Sequence, residues 1–343
     1  MKNICVIFTG GTIGSQVKSS EINVSDEQKY ILLEHFYENY EGEDVEIDTL
    51  SPIYTLSENM TCEKWKNIVG AVKSAMQKKR DGIIITHGTD TLAYTACMLG
   101  YMFAGTDIPI VLVSSNKPLS DESGNGFSNF MSAVNFIMDA KVKGVYVTYR
   151  DKFGDDNVIL ATRTTQATQI TGEVLSASGE PFGKMVNGKF CYVPSEYNPT
   201  IDEVNNKKFV SAGFTQNFCN EFMLIKPYVS MNYEFFHSKY KAKFILHELY
   251  HSGTCCVEGE TTSLINFAKY CKQNGIDLYL APMDSKQKNY ASTTALKENN
   301  VKILKGISIE AALVKLMIGY GNFNIAKIRD TFIEQDLFFE YMK

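Results

Sequence analysis

The sequence predicts an α/β fold of two domains, a larger N-terminal one on a mainly parallel sheet and a smaller C-terminal α/β one. Apolar runs of strand length alternate with amphipathic helix patterns through the first half of the chain, and the alternation restarts after a weakly patterned stretch. Length agrees, since 343 residues exceed what one hydrophobic core usually serves.

The strand-like runs of the first half are Ile4 to Phe8, Val45 to Leu50, Gly82 to Thr86, Pro109 to Ser114 and Gly144 to Thr148. Most are continuously apolar rather than alternating, as strands covered by helices on both faces must be. The clearest helix runs from Thr61 to Arg80, where Trp65, Ile68, Val69, Val72 and Met76 recur on one face. Thr61 is placed to cap it, with Glu63 in the first turn. A second helix follows Gly82 to Thr86 over Leu92 to Phe103. From about Asn187 to Pro227 the pattern weakens into Pro, Asn, Lys and Gly, the signature of a connection. Strands at Lys243 to Leu249, Asp277 to Ala281 and Val301 to Leu304 then alternate with helices over Thr262 to Gln273, Thr293 to Glu298 and Ser308 to Gly319. The expected boundaries are 1–195 for the first domain, 196–228 for a linker and 229–343 for the second.

Composition excludes several function classes. A net charge of -5, without long runs of either sign, is not the footprint of a nucleic-acid binder. The basic cluster Lys78-Lys79-Arg80 ends a helix, where cations complement the macrodipole. No stretch approaches the ~18 apolar residues that span a bilayer, and Met1 to Phe8 runs into Thr9-Gly10-Gly11 without a signal-peptide cleavage pattern. The eight cysteines are scattered, with no Cys-x-x-Cys pair. Reduced thiols in a cytoplasmic protein without metal or cofactor are the expectation.

Two loops carry the chemistry. Thr9-Gly10-Gly11-Thr12-Ile13-Gly14 follows the first strand, and its glycines let backbone pass close to a ligand while Thr12 projects at the sheet edge. The glycine spacing does not match a dinucleotide fingerprint. His87-Gly88-Thr89-Asp90-Thr91 follows the strand at Gly82 to Thr86 and sets a hydroxyl beside a carboxylate. Thr89 or Asp90 reads equally as a helix cap when taken alone. Two such loops at strand carboxyl ends, where parallel sheets bind ligands, point to one shared site.

On these motifs the chain resembles the bacterial-type L-asparaginase family, closest to its cytoplasmic type I branch. Thr9-Gly10-Gly11-Thr12-Ile13 and His87-Gly88-Thr89-Asp90-Thr91-Leu92-Ala93-Tyr94-Thr95-Ala96 match its two signatures. Weaker likeness covers Ser51-Pro52, Ser57-Glu58-Asn59-Met60-Thr61, Pro118-Leu119, Arg163-Thr164-Thr165 and Glu310-Ala311. The resemblance implies an N-terminal active site completed in a homodimer or dimer of dimers. It implies Thr12 as the nucleophile that attacks the side-chain amide of asparagine, releasing ammonia. It further implies Thr89 and Asp90 in a proton relay, with Asp90 also holding the substrate's amino group. Ser57 corresponds to the residue binding the α-carboxylate, Glu58 to one at the α-amino group and Ser115 to a contact of the side-chain amide.

Three positions depart from the family pattern. Gln166 follows Arg163-Thr164-Thr165 where the relay lysine belongs, and a neutral amide cannot exchange a proton. Ile22 stands nearest the usual loop tyrosine, with Tyr30 downstream, and Thr254 replaces an asparagine lent by the neighbouring subunit. His251 reads as structural, and Lys184 is a candidate substitute for the missing lysine. Three functions stay open: an asparagine amidohydrolase, an impaired relative that binds an amino acid, and a tRNA-dependent amidotransferase subunit. The last usually has an extra N-terminal domain, whereas only Met1 to Asn3 precede the first expected strand.

Overall fold

The computed structural model describes residues 1–11, 13, 15–18, 21–24, 27–208, 214–237, 242–286, 288, 290–299 and 301–342, with side chains of 15–18, 21–24 and 27–30 outside the description. The chain forms two compact units, Met1–Ser211 with Leu337–Phe339, and Ala212–Asp336 with Glu340–Lys343.

In the first unit the elements are β1 (Lys2–Phe8), β2 (Ser15–Lys18), β3 (Glu21–Val24), α1 (Glu27–Asn39), β4 (Val45–Leu50), α2 (Cys62–Met76), β5 (Gly82–Thr86) and α3 (Leu92–Met102). They continue with β6 (Pro109–Val113), α4 (Gly126–Asp139), β7 (Gly144–Arg150), β8 (Asp156–Leu160), β9 (Gly183–Val186), β10 (Lys189–Tyr192) and α5 (Ile201–Asn205). The eight-stranded sheet has the order β10-β9-β8-β7-β6-β5-β1-β4. Neighbours from β4 to β7 are parallel and those from β7 to β10 antiparallel. Every residue of β5 is buried, so apolar side chains are selected on both its faces. Phe136 of α4 meets Tyr146 of β7 edge-on, and Ile137 lies over Gly82, where a Cβ would come within 2.7 Å.

The strands expected at Val45 to Leu50 and Gly82 to Thr86 form with those bounds, and the Thr61 side chain accepts from the Lys64 N–H as the α2 cap. The antiparallel strands β8, β9 and β10 extend the sheet beyond the expected set. Their signal is Asn187-Gly188, both at positive φ (50° and 74°), the combination a tight hairpin turn requires. The segment 196–228, expected as a linker, divides between the units: α5 carries a Thr200/Glu203 capping box in the first, and the strand at Phe222–Ile225 belongs to the second.

The second unit contains β11 (Phe222–Ile225), β12 (Phe244–Glu248), α6 (Leu264–Gln273), β13 (Asp277–Ala281), α7 (Ala291–Glu298), β14 (Lys302–Ile303), α8 (Ile309–Asn322) and α9 (Ala326–Glu334). Its four strands form a parallel sheet in chain order. Leu246 and Leu280 inside it are fully buried. Lys315 of α8 is also fully buried and bonds the Glu340 carboxylate and the Gln335 carbonyl. No helix among the described residues is long and apolar enough to cross a membrane.

Candidate active site

The two Gly-containing loops meet backbone to backbone beyond β1 and β5. The Thr9 hydroxyl donates to the Thr86 carbonyl at 2.6 Å, which ties the exits of these adjacent strands together. Gly10 and Gly11 take φ of 97° and 78°, where side chains are strained. A Cβ on Gly11 would lie 2.2 Å from the Gly88 nitrogen, and one on Gly10 would lie 2.4 Å from the Thr55 carbonyl oxygen. Thr55 is stitched to the first loop in both directions, its carbonyl accepting from Gly11 N–H at 3.0 Å and its N–H donating to Thr9 at 3.1 Å.

Ser57 closes the third side. Its hydroxyl donates to Asp90 Oδ2 at 3.1 Å and accepts from the Asp90 N–H at 3.2 Å, while Thr91 Oγ1 donates to the Ser57 carbonyl at 2.8 Å. A Cβ on Gly88 would sit 2.5 Å from Ser57 Oγ, so the second glycine is needed for this approach. Neither Thr89 nor Asp90 caps a helix with its side chain. Asp90 is exposed and turned to Ser57 at the entry to α3, where the helix dipole favours a carboxylate. No cation pairs with it among the described residues. His87 is wholly buried, and desolvation lowers its pKa from 6.5 to about 4, so the ring is neutral. Its Nδ1 stands 2.8 Å from the Gly88 carbonyl oxygen and donates to it as Nδ1–H.

Lys64 was not singled out by its sequence position, although a signal was present. It is the third residue of α2, in the first turn, where a cation opposes the helix dipole. Its Nζ folds back to Thr55 Oγ1 at 2.8 Å and to the Asn59 carbonyl at 2.7 Å.

The remaining expected site residues are less convergent. Ser115 is fully buried, and its hydroxyl donates to the Lys117 carbonyl within its own loop. Glu58 is exposed beside Ser57. Gln166 is exposed, two residues beyond the Thr164–Ser176 bridge. Lys184, the candidate for the relay lysine's place, pairs with Asp155 at 2.7 Å. Thr12 lies outside the described residues, as do the side chains of Ile22 and Tyr30. In the second unit His251 is exposed, and Thr254 closes a turn by accepting from the Tyr250 N–H at 3.0 Å. The buried histidine there is His247, with Nδ1 2.6 Å from the Glu248 carbonyl and Nε2 2.8 Å from the Tyr233 hydroxyl. Among the described residues no group of three His, Cys, Asp or Glu side chains is arranged to hold a metal ion.

These features coincide with a known family. Residues 3–192 match the sequence profile described as asparaginase, N-terminal, and the chain belongs to the asparaginase family. Among individual relatives, L-asparaginase 1 of Escherichia coli K12 is 32% identical over 168 residues, covering 48% of this chain and 48% of the relative. A glutamyl-tRNA(Gln) amidotransferase subunit of Methanosarcina barkeri is 33% identical over 152 residues, 41% of this chain and 34% of the relative. The alignments thus span a third to a half of these relatives' lengths. The thermostable L-asparaginase from Thermococcus kodakarensis shares the fold with a TM-score of 0.79 at 21% identity, over 99% of both chains.

Proposed function

We propose that this protein hydrolyses the side-chain amide of L-asparagine, using Thr12 as nucleophile. The observation that carries this reading is the convergence of Gly11, Gly88, Ser57 and Asp90 around the loop to which Thr12 belongs. In this mechanism the Thr12 hydroxyl attacks the amide carbon, ammonia departs with a proton, and water then cleaves the aspartyl ester. Thr89 and Asp90 are the residues assigned to moving the hydroxyl proton, and Asp90 also takes the substrate's α-ammonium. Ser57 and Glu58 orient the amino-acid head group. The Ser115 hydroxyl is occupied by Lys117, so its loop would serve the substrate amide through the main chain. No metal or cofactor enters the scheme. The same reading has the protein cytoplasmic and working as a homodimer or dimer of dimers.

Ammonia release from L-asparagine tests it, with Thr12→Ala expected to lose at least ~100-fold. An unchanged rate in that variant would assign the chemistry elsewhere. A second reading, an amino-acid binder with slow turnover, is favoured by Gln166 at the relay position and by Lys184 being held by Asp155. Binding of L-aspartate without ammonia release would select it. The amidotransferase relatives keep a third assignment in view, that of a tRNA-dependent amidotransferase subunit.

A further inference from the structure

We propose that Lys64 is the α-carboxylate anchor of the amino-acid site, an inference that rests on the reading of this site as one for an α-amino acid. The observation is a separation of opposite charges. Asp90 touches Ser57, and Lys64 touches Thr55 and Asn59, all within the one short segment that packs on Gly10 and Gly11.

Among the described residues neither charge has a partner of opposite sign. The nearest acid in sequence to Lys64, Glu63, is paired with Lys66 at 2.9 Å. An ammonium has three hydrogens, and the two neutral acceptors on Lys64 leave one unused. Half-buried and set against the dipole of its own helix, Lys64 would gain from an anion.

Thr55 and Ser57 are two residues apart in extended chain, about 7 Å between Cα atoms. Charge-assisted bonds of about 2.8 Å from each end would let one small zwitterion bridge them, ammonium on Asp90 and carboxylate on Lys64. A free α-carboxylate would thus be recognised by the charge on Lys64, since the one Ser57 hydroxyl hydrogen is donated to Asp90. Lys64 is a specificity residue in this scheme, and the chemistry stays with the threonine loops.

The test is calorimetric binding of L-aspartate and of its α-amide, isoasparagine, which differ only at the α-carboxylate. Wild-type protein is expected to prefer L-aspartate. Lys64→Met and Lys64→Gln are expected to reduce that preference about tenfold, the scale of a lost hydrogen bond to a charged group, while Lys64→Arg keeps most of it. A merely structural role would weaken both ligands together. Two replacements guard against one failing to fold, which circular dichroism reports. If wild-type protein hydrolyses asparagine and both variants keep the full preference, the assignment of Lys64 is overturned and the amidohydrolase reading stands. If wild-type protein binds neither ligand, the assignment of Lys64 is overturned, and the amidohydrolase reading falls with it only if asparagine releases no ammonia.

Discussion

Replacing Gly11 by alanine is the most direct probe of the meeting of the two loops. The left-handed φ of 78° costs an alanine about 1 kcal/mol. Its methyl would also stand 2.2 Å from Gly88 N and 2.4 Å from Gly88 Cα. Carbon atoms rest at about 3.5 to 4.0 Å, so the loops would have to part by more than about 1 Å. Overpacking of this kind adds about 1 to 3 kcal/mol, giving a total loss of about 2 to 4 kcal/mol. A displacement of that size at a reacting centre costs on the order of 100-fold in rate. Urea unfolding and ammonia release measure the two effects separately. Gly154→Ala is the control, with φ of 88° but nothing within 4 Å of the added methyl. It should lose only about 1 kcal/mol and keep its activity. Gly11→Ala with wild-type rate and with stability no lower than the control would refute the claim that these two backbones define the site.

Three further outcomes are expected. Gln166→Lys should raise turnover of asparagine about 100-fold if no other cation serves the relay, and a variant no faster than an already brisk wild type would show the relay has been rebuilt. Glu340→Ala should destabilise the second unit by about 3 to 5 kcal/mol because it removes the carboxylate bonded to the buried Lys315 ammonium, whereas Lys315→Met with Glu340→Leu should be close to neutral; equal losses in both would argue against the pair. His247 has its pKa lowered from 6.5 to about 4 by burial, so the stability it contributes is complete above pH 6.5 and is lost as the pH falls towards 4. The steepest dependence is about 1.4 kcal/mol per pH unit, and His247→Gln should flatten it; an unchanged slope would place that titration on other groups.

The parts of the fold legible in the sequence are those governed by local pattern. Buried parallel strands such as β5 show as unbroken apolar runs, and caps such as Thr61 and Ser308 stand where the periodicity starts. The antiparallel strands β9 and β10 escaped because four residues are too few to display a period, leaving the Asn187-Gly188 turn as their mark. The threonine loops were legible through their glycines and strand context. The role of Thr55 in holding the first loop was not, since its main chain bonds Thr9 and Gly11, and a backbone bond leaves no requirement on the side chain. Lys64 lay within a correctly read helix, and its departure from dipole preference gained meaning only with the path of its side chain.

The single tryptophan has a use beyond packing. Trp65 is buried on α2, and its indole N–H donates to Thr95 at 3.0 Å within the first unit. Its emission therefore reports the melting of the N-terminal unit alone, whereas near-ultraviolet dichroism also senses the tyrosines of the second, among them Tyr279 and Tyr320. Recording both signals through one denaturant titration would reveal whether the two α/β units denature as one cooperative block or in succession.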